Sequence, residues 1–330
     1  MVDGGLTAKF RPSKGSGHRV SNHKRDSRWS RRGFHVTTGT TMPQMTKWVI
    51  AVNPSLVLMG ALQGSFAIAV ASSFATLQPL RVALTLVLTP LEAVGVRFIN
   101  DYDDFTKGID TVETVRPNSA LALGLNMQLV RRIGVTSVAA MIVISSYLIA
   151  TVNPWVLLIV PLPFLILFLY SGGPHPLGHS AMGEVIDFIF NGSLPVIVGI
   201  WVNAKGLNSS AVIAGISVGF LYATLMLHNN ARDIVKDAAQ GKKTLPQMIS
   251  QEATKLVYIG FLVLAYALTV LAALVAHKWS AVAPVATLPW AVILLFRVKR
   301  STLGDSLFSW AHVYYLMIGY FALGVIGWTA

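Results

Sequence analysis

Two short clusters of aspartate and asparagine are the residues of this sequence best suited to chemistry. The first occupies residues 100–110, which hold four of the chain's 14 acidic residues. The second occupies residues 228–237, and each cluster follows directly on an apolar run. Carboxylate and amide oxygens are the ligands that Mg²⁺ takes, together with phosphate oxygens. The two clusters therefore indicate a cavity in which Mg²⁺ and a diphosphate are held between them.

The spacing within each cluster favours a shared helical face. Residues three or four positions apart lie on the same side of a helix. This relation holds within two pairs of candidate catalytic residues, Asp101 with Asp104 and Asp233 with Asp237. The candidate metal ligands are these four and three further oxygen donors: Asn100, Asp101, Asp104, Asp110, Asn229, Asp233 and Asp237.

Basic residues close to both clusters supply partners for phosphate oxygens. Arginine binds phosphate through paired hydrogen bonds, whereas lysine acts as a point charge. The candidate diphosphate ligands are Lys107, Arg116, Arg232, Lys236 and Lys242. Such a clamp stabilises the negative charge that develops on a departing diphosphate. Departure from an allylic carbon would leave a carbocation.

A loop rich in glycine and proline lies between the clusters. Residues 171–179 carry the composition of a turn-rich segment, and Glu184 and Asp187 follow at the start of the next apolar run. The segment is either an ordinary connection or a cap over the cavity. For the second interpretation, the candidate lid or acceptor-binding residues are Tyr170, His179 and Glu184.

Apolar segments of membrane-spanning length must position these clusters. Hydrophobic residues make up 54% of the chain and charged residues 12%, and about 20 residues cross the hydrocarbon layer as a helix. The sequence predicts an all-α integral membrane bundle of about nine transmembrane helices. They lie near residues 54–72, 80–99, 133–151, 154–171, 185–203, 210–228, 254–277, 279–296 and 308–328.

Lysine and arginine are concentrated in the connections on the N-terminal side of the predicted spans. This bias predicts that the N-terminus and both clusters face the cytoplasm, or the stroma or matrix of an organelle. A bacterial cell membrane is favoured, with a plastid or mitochondrial inner membrane as the alternative. The net charge of +12 reflects this topology, and no nucleic-acid-binding module is apparent. The absence of cysteine excludes thiolate ligands and a cysteine nucleophile.

The chain divides into a tail and a membrane domain. Residues 1–46 are basic, poor in acids and without a long apolar run, which predicts a disordered tail or a transit peptide. Residues 47–330 hold the predicted spans. Within them, Gln63 is expected to join helices or bind a ligand. Glu92 and Arg97 lie at membrane depth, where ionisable groups usually face a cavity or a partner.

The clusters resemble the two aspartate motifs of the UbiA-type membrane prenyltransferase superfamily. The matching residues are Asn100-Asp101-x-x-Asp104 with Asp110, and Asn229-Asn230-x-Arg232-Asp233-x-x-x-Asp237. The branch that prenylates 1,4-dihydroxy-2-naphthoate in menaquinone and phylloquinone synthesis is the most similar. That likeness also rests on Gly172-Gly173-Pro174-x-Pro176-Leu177-Gly178 and on Gly241-Lys242-Lys243-Thr244-Leu245. Where that branch often carries a further aspartate, this chain has Val235.

The resemblance implies a nine-helix bundle and two Mg²⁺ ions. It also implies a polyprenyl diphosphate donor, whose chain is transferred to the naphthoate ring with loss of the carboxylate. Two alternatives keep the ionisation step, namely transfer to another acceptor and cyclisation of the donor. A membrane transporter is a remote alternative, because the acidic residues gather at one membrane face and transport sites lie near the midplane.

Overall fold

A computed structural model of the protein describes residues 42–106, 108, 117–155, 177, 180–239, 241–300 and 310–330. These residues form helices, turns and bends, and no strand occurs among them. The helices are α1 Gln44–Val52, α2 Pro54–Ser72, α3 Pro79–Thr106, α4 Met127–Ala150, α5 Gly183–Ala204, α6 Ser209–Arg232, α7 Ile234–Ala239, α8 Leu245–Met248, α9 Gln251–Val275, α10 Trp279–Arg300 and α11 Trp310–Thr329. The all-α prediction is confirmed.

Eight of the described helices are long and apolar enough to span a membrane, namely α2 to α6 and α9 to α11. They correspond to eight of the nine predicted spans, and their length and composition identify an integral membrane protein. The remaining predicted span, 154–171, lies almost wholly outside the described residues, as do residues 1–41. The basic tail therefore stays a prediction.

Helix α6 runs through the centre of the bundle. Nearly three quarters of its most apolar stretch, 72%, is buried inside the protein, and it packs against α5 and α9. Small residues allow this approach, as they commonly do between membrane helices. A Cβ atom added to Gly192 of α5 would lie 2.6 Å from the Cα atom of Gly219 in α6. The two backbones are therefore in direct contact.

Helix α5 is not α-helical throughout, and its irregular segment includes the residue that contacts α6. Residues Asp187–Ser193 form a π-helical segment between α-helical turns. Such segments are rare in proteins, but those that occur are often found at functional sites. The wider turn changes the direction of the side chains that follow it. Here the segment faces α6. It places Asp187 and Asn191 beside the cavity described below.

The two ends of the bundle are marked by different polar contacts. At one end, the buried guanidinium of Arg81 donates to the carbonyl oxygens of Thr151 and Val202, both at 3.3 Å. At the other end, the Asn230 amide donates to Glu184 Oε1 at 2.9 Å. Thr151 follows α4 and Glu184 lies in the first turn of α5. Val202 lies near the end of α5 and Glu184 in its first turn, so the two contacts mark opposite ends of the bundle.

Helix α3 extends further than predicted. The predicted span ends at residue 99, whereas the helix continues to Thr106 and includes the start of the first cluster. Pro90 lies inside this helix. Proline has no N–H, so the carbonyl of Leu86 loses its usual intrahelical donor one turn away. This local change lies next to Thr89 and Glu92, which face the interior cavities.

Candidate active site

A polar cavity of about 240 Å³ lies between α2, α3, α5, α6 and α11. The last turns of α3 contribute Asn100 and Asp101, and the last turns of α6 contribute Asn229. The cavity thus brings together residues from both clusters, more than 100 positions apart in the chain. We refer to it below as the polar cavity.

Residues at and just before the first cluster form hydrogen bonds with the backbone of residues 118–120. Asp101 is 4% exposed, and its Oδ2 atom accepts a hydrogen bond from the backbone N–H of Ala120 at 2.9 Å. Arg97 lines the same cavity and donates to the carbonyl oxygens of Ala51 and Asn118 at 2.6 and 2.7 Å. Asp104 lies in the last turn of α3, half-buried and outside the cavity lining. Lys107, Asp110 and Arg116 lie outside the described residues.

The second cluster lies where α6 ends. The helix stops at Arg232, and Asp233 connects it to the short helix α7. The backbone N–H of Asp237 donates to the Asp233 carbonyl at 2.8 Å, so one helical turn still joins the two aspartates. Neither carboxylate lines the polar cavity, whereas Asn229, one turn earlier in α6, does.

Basic side chains neutralise both aspartates of the second cluster. Arg232 forms a bidentate ion pair with Asp233, with distances of 2.8 and 2.6 Å. The Lys242 ammonium lies 2.9 Å from Asp237 Oδ1. Arg232 and Lys242 were predicted to bind diphosphate, and the structure places them on carboxylates of the same cluster. Lys236, half-buried on α7, also lies outside the cavity lining.

The donor set of the polar cavity fits Mg²⁺. This ion typically uses one or two carboxylates, with phosphate oxygens and water completing an octahedron. The cavity offers the Asp101 carboxylate and the amide oxygens of Asn100 and Asn229. No group of three or more acidic or histidine side chains converges on a point within the described part of the chain. Substrate oxygens would therefore have to supply several of the ligands.

A chain of hydrogen bonds, of which the sequence indicated only Gln63, forms one wall of the cavity. The Tyr222 hydroxyl donates to Gln63 Oε1 at 2.6 Å, and the Gln63 amide donates to the Asn191 carbonyl at 2.8 Å. The Asn191 side chain in turn donates to Asp187 Oδ1. The chain joins α2, α5 and α6. The isolated polar residues within apolar runs were the only signal of it in the sequence.

The lid candidates are placed differently. Glu184 is 2% exposed and is bound to Asn230 of α6, so it connects α5 to α6 and is not part of the cavity lining. Tyr170 and His179 lie outside the described residues. The cap over the cavity therefore stays a prediction.

An apolar cavity of about 190 Å³ adjoins the polar one. Residues of α2, α3, α4 and α5 line it, and four residues line both cavities: Gln63, Thr89, Glu92 and Asn191. Thr85 and Val202 line its far part, beside the Arg81 contacts that mark the opposite end of the bundle. The two cavities together extend from the aspartate clusters toward the other side of the membrane. We call the shared region the junction.

A family model described as the UbiA prenyltransferase family matches residues 57–328. Among curated proteins, 1,4-dihydroxy-2-naphthoate octaprenyltransferase of Bacillus subtilis is 27% identical over 212 residues, which is 63% of this chain and 64% of that protein. The protein of the same name from Mycobacterium leprae is 28% identical, over 68% of this chain and 76% of its own length. The chain thus spans a little under two thirds of the Bacillus relative.

Two solved structures have a similar fold. A UbiA homolog from Archaeoglobus fulgidus, bound to GPP and Mg²⁺, has a TM-score of 0.58 at 17% identity and covers 84% of this chain and 99% of its own. A UbiA homolog from Aeropyrum pernix has a TM-score of 0.60 at 14% identity, with coverages of 80% and 96%. The helical arrangement described above is therefore shared with these proteins.

Proposed function

The chain belongs to the UbiA prenyltransferase family, and from this we propose that it is a Mg²⁺-dependent prenyltransferase of the membrane. The donor is a polyprenyl diphosphate and the acceptor is 1,4-dihydroxy-2-naphthoate, so that the product belongs to menaquinone or phylloquinone biosynthesis. The observation that carries the proposal is the polar cavity, in which Asn100 and Asp101 of one cluster face Asn229 of the other.

The diphosphate is bound at the end of the polar cavity where Asn100, Asp101 and Asn229 lie. Two Mg²⁺ ions, held by the first and second clusters, would neutralise the diphosphate and stabilise it as a leaving group. Arg232 and Lys242 now pair with Asp233 and Asp237. When Mg²⁺ binds Asp233 and Asp237, these carboxylates would no longer pair with the two basic side chains. We therefore expect Arg232 and Lys242 to bind phosphate oxygens in place of the carboxylates. The Archaeoglobus protein, which has a similar fold, is bound to GPP and Mg²⁺, and this supports a Mg²⁺-dependent diphosphate site in this chain.

The prenyl chain occupies the apolar cavity. Its lining is formed mainly by aliphatic and aromatic side chains of α4 and α5, among them Met141, Leu148, Phe190, Leu194 and Val198. Burial of methylene groups in such a lining is favourable at about 0.8 kcal/mol for each group. A donor with its diphosphate at the clusters and its chain in this cavity places the allylic carbon at the junction.

The relatives support a naphthoate acceptor. Five of the matching curated proteins are named 1,4-dihydroxy-2-naphthoate octaprenyltransferase, and one from Synechocystis is named 2-carboxy-1,4-naphthoquinone phytyltransferase. A ring with two hydroxyl groups is electron-rich, which suits attack by an allylic cation. We further propose that the clusters face the cytoplasm, since described basic residues such as Arg131, Arg132 and Arg300 lie at their end of the bundle.

An acceptor screen tests this function. Purified protein in lipid nanodiscs is incubated with labelled geranylgeranyl diphosphate, with and without Mg²⁺, and with dihydroxynaphthoate, hydroxybenzoate, homogentisate or no acceptor. We expect a prenylated naphthalene product only when Mg²⁺ and dihydroxynaphthoate are both present. A prenylated product from another acceptor would reassign the substrate, and a terpene formed without acceptor would indicate a cyclase.

Variants of the clusters test the diphosphate site. Asp101→Asn and Asp233→Asn should each lower Mg²⁺-dependent turnover by at least about a hundredfold, since each removes a carboxylate that would hold Mg²⁺, and the ion would neutralise the leaving group. Asp103→Asn is the matched control, because Asp103 lies on a different face of α3 and does not line the cavity. Unchanged turnover in both cluster variants would contradict the proposed site.

A further inference from the structure

We propose that Glu92 is the base that takes the hydroxyl proton of the aromatic acceptor, and that Thr89 helps to position that acceptor. This inference rests on the proposed function and adds to it a second, deeper set of functional residues. Both side chains lie at the junction of the polar and apolar cavities.

The position of Glu92 follows from the course of α3. It lies nine positions before Asp101 along the helix, which corresponds to about 13.5 Å at 1.5 Å for each residue. Glu92 thus lies deeper in the cavity than the diphosphate site, on the side toward the allylic carbon. With the diphosphate at the clusters and the prenyl chain in the apolar cavity, the allylic carbon lies between them, where the acceptor must also meet it.

The carboxylate of Glu92 is available to a ligand. Among the described residues it has no hydrogen-bond or ion-pair partner, and it is half-buried because it faces the cavities. Asp187, which also lines the polar cavity, already accepts a hydrogen bond from Asn191 and lines only one of the two cavities. An ionisable side chain at membrane depth is costly and usually marks a functional site.

Thr89 provides an independent observation at the same place. Its Oγ1 atom is buried and makes no hydrogen bond to any described residue. Thr89 precedes Glu92 by three positions, so both side chains lie on one face of α3. A buried hydroxyl without a partner costs free energy unless a ligand or water satisfies it. Together the two side chains offer one acceptor and one donor to a dihydroxylated ring.

The proposed step is balanced without an external reagent. The O–H bond of the hydroxyl next to the carboxylated carbon breaks, and its proton moves to Glu92. Electrons from that oxygen pass through the ring, and the carboxylated carbon forms a C–C bond to the allylic carbon. The allylic C–O bond breaks and its electrons leave with the diphosphate. Loss of CO₂ then restores the aromatic ring, and Glu92 returns the proton to the oxygen.

The key variant is Glu92→Gln, which keeps the size of the side chain and removes its ability to take a proton. General-base catalysis contributes about a hundredfold to ten-thousandfold, so transfer to dihydroxynaphthoate in a single turnover should fall by at least a hundredfold. The Mg²⁺-dependent Kd for geranylgeranyl diphosphate should change far less than the transfer rate, and retained binding of the donor also shows that the variant is folded. Glu252→Gln, at the exposed start of α9, is the matched control.

A series of acceptors separates a base from a residue that only shapes the site. Ring-fluorinated dihydroxynaphthoates have more acidic hydroxyl groups and depend less on a base. The defect of Glu92→Gln should therefore shrink steadily as hydroxyl acidity rises. Glu92→Asp should recover part of the transfer rate, and Thr89→Val should raise the KM for the acceptor more than it lowers kcat.

The outcomes distinguish this inference from the proposed function. Wild-type protein that prenylates no dihydroxynaphthoate would overturn both. Normal transfer by the wild type and by Glu92→Gln would overturn only the role of Glu92. The role would also be overturned by a defect that stays the same across the fluorinated acceptors, or by equal rates for Glu92→Asp and Glu92→Gln.

Discussion

Gln63 joins three walls of the polar cavity, and its replacement by leucine gives a quantitative test of the structure. Gln63 on α2 accepts a hydrogen bond from Tyr222 on α6 and donates to the Asn191 carbonyl on α5. Leucine has a similar size but makes neither bond. The Tyr222 hydroxyl and the Asn191 carbonyl would then lack this partner in a region that is shielded from water. The substitution should therefore weaken the contacts of α2 with α5 and α6.

The magnitude follows from the number of bonds lost. Hydrogen bonds between membrane helices contribute about 0.6 kcal/mol on average and at most about 1.7 kcal/mol. Loss of the two bonds of 2.6 and 2.8 Å should therefore lower the free energy of unfolding by about 1 to 3 kcal/mol. The exposed Gln128 at the start of α4 is the control. Gln128→Leu should change the free energy of unfolding by less than about 0.5 kcal/mol.

A double-mutant cycle isolates the bond between Gln63 and Tyr222. The free energy of unfolding is measured by steric trapping in lipid for Gln63→Leu, Tyr222→Phe and the double variant. The two single changes should not be additive, and the coupling energy should be about 0.6 to 1.7 kcal/mol. A coupling below about 0.3 kcal/mol, the usual limit of additivity, would refute the direct bond and the cavity wall built on it.

Two further substitutions test the packing and the apolar cavity. Gly192→Ala places a methyl group 2.6 Å from the Cα atom of Gly219 and should lower the free energy of unfolding by about 1 to 3 kcal/mol. In the control Gly260→Ala the added methyl group meets nothing within 4 Å, so the free energy of unfolding should not fall. Equal stability of both variants would contradict the close contact of α5 and α6. Val198→Trp narrows the apolar cavity and should lower kcat/KM for geranylgeranyl diphosphate at least about tenfold more than for geranyl diphosphate. Val263→Trp, on an exposed position of α9, should leave that ratio unchanged, and a similar effect of the two tryptophans would speak against a chain in this cavity.

Sequence patterns were sufficient for the features that depend on local composition. Apolar runs predict membrane helices because their length and hydropathy are properties of a single segment. Eight of these runs are helices in the described chain. Charge bias between loops predicted that residues 100 and 229 lie on one side of the membrane, and the structure places both on one cavity.

Other features depend on contacts that no local pattern contains. The π-helical winding of Asp187–Ser193 accompanies the close contact with Gly219 of α6, which periodicity in α5 alone does not reveal. The pairing of Arg232 with its neighbour Asp233 was also not predicted, since Arg232 was assigned to the diphosphate and Asp233 to a metal ion. Glu92 was recognised as unusual at membrane depth, but its place at the junction depends on the packing of three helices.

The central claim is that both clusters serve a transfer of a prenyl group with loss of the acceptor's carboxylate. The most direct measurement is the stoichiometry of the reaction with carboxyl-labelled dihydroxynaphthoate and geranylgeranyl diphosphate in the presence of Mg²⁺. One diphosphate and one labelled CO₂ should be released for each molecule of prenylated product, and none of the three should form when Mg²⁺ is chelated. Diphosphate released without CO₂ and without prenylated naphthalene would contradict the claim.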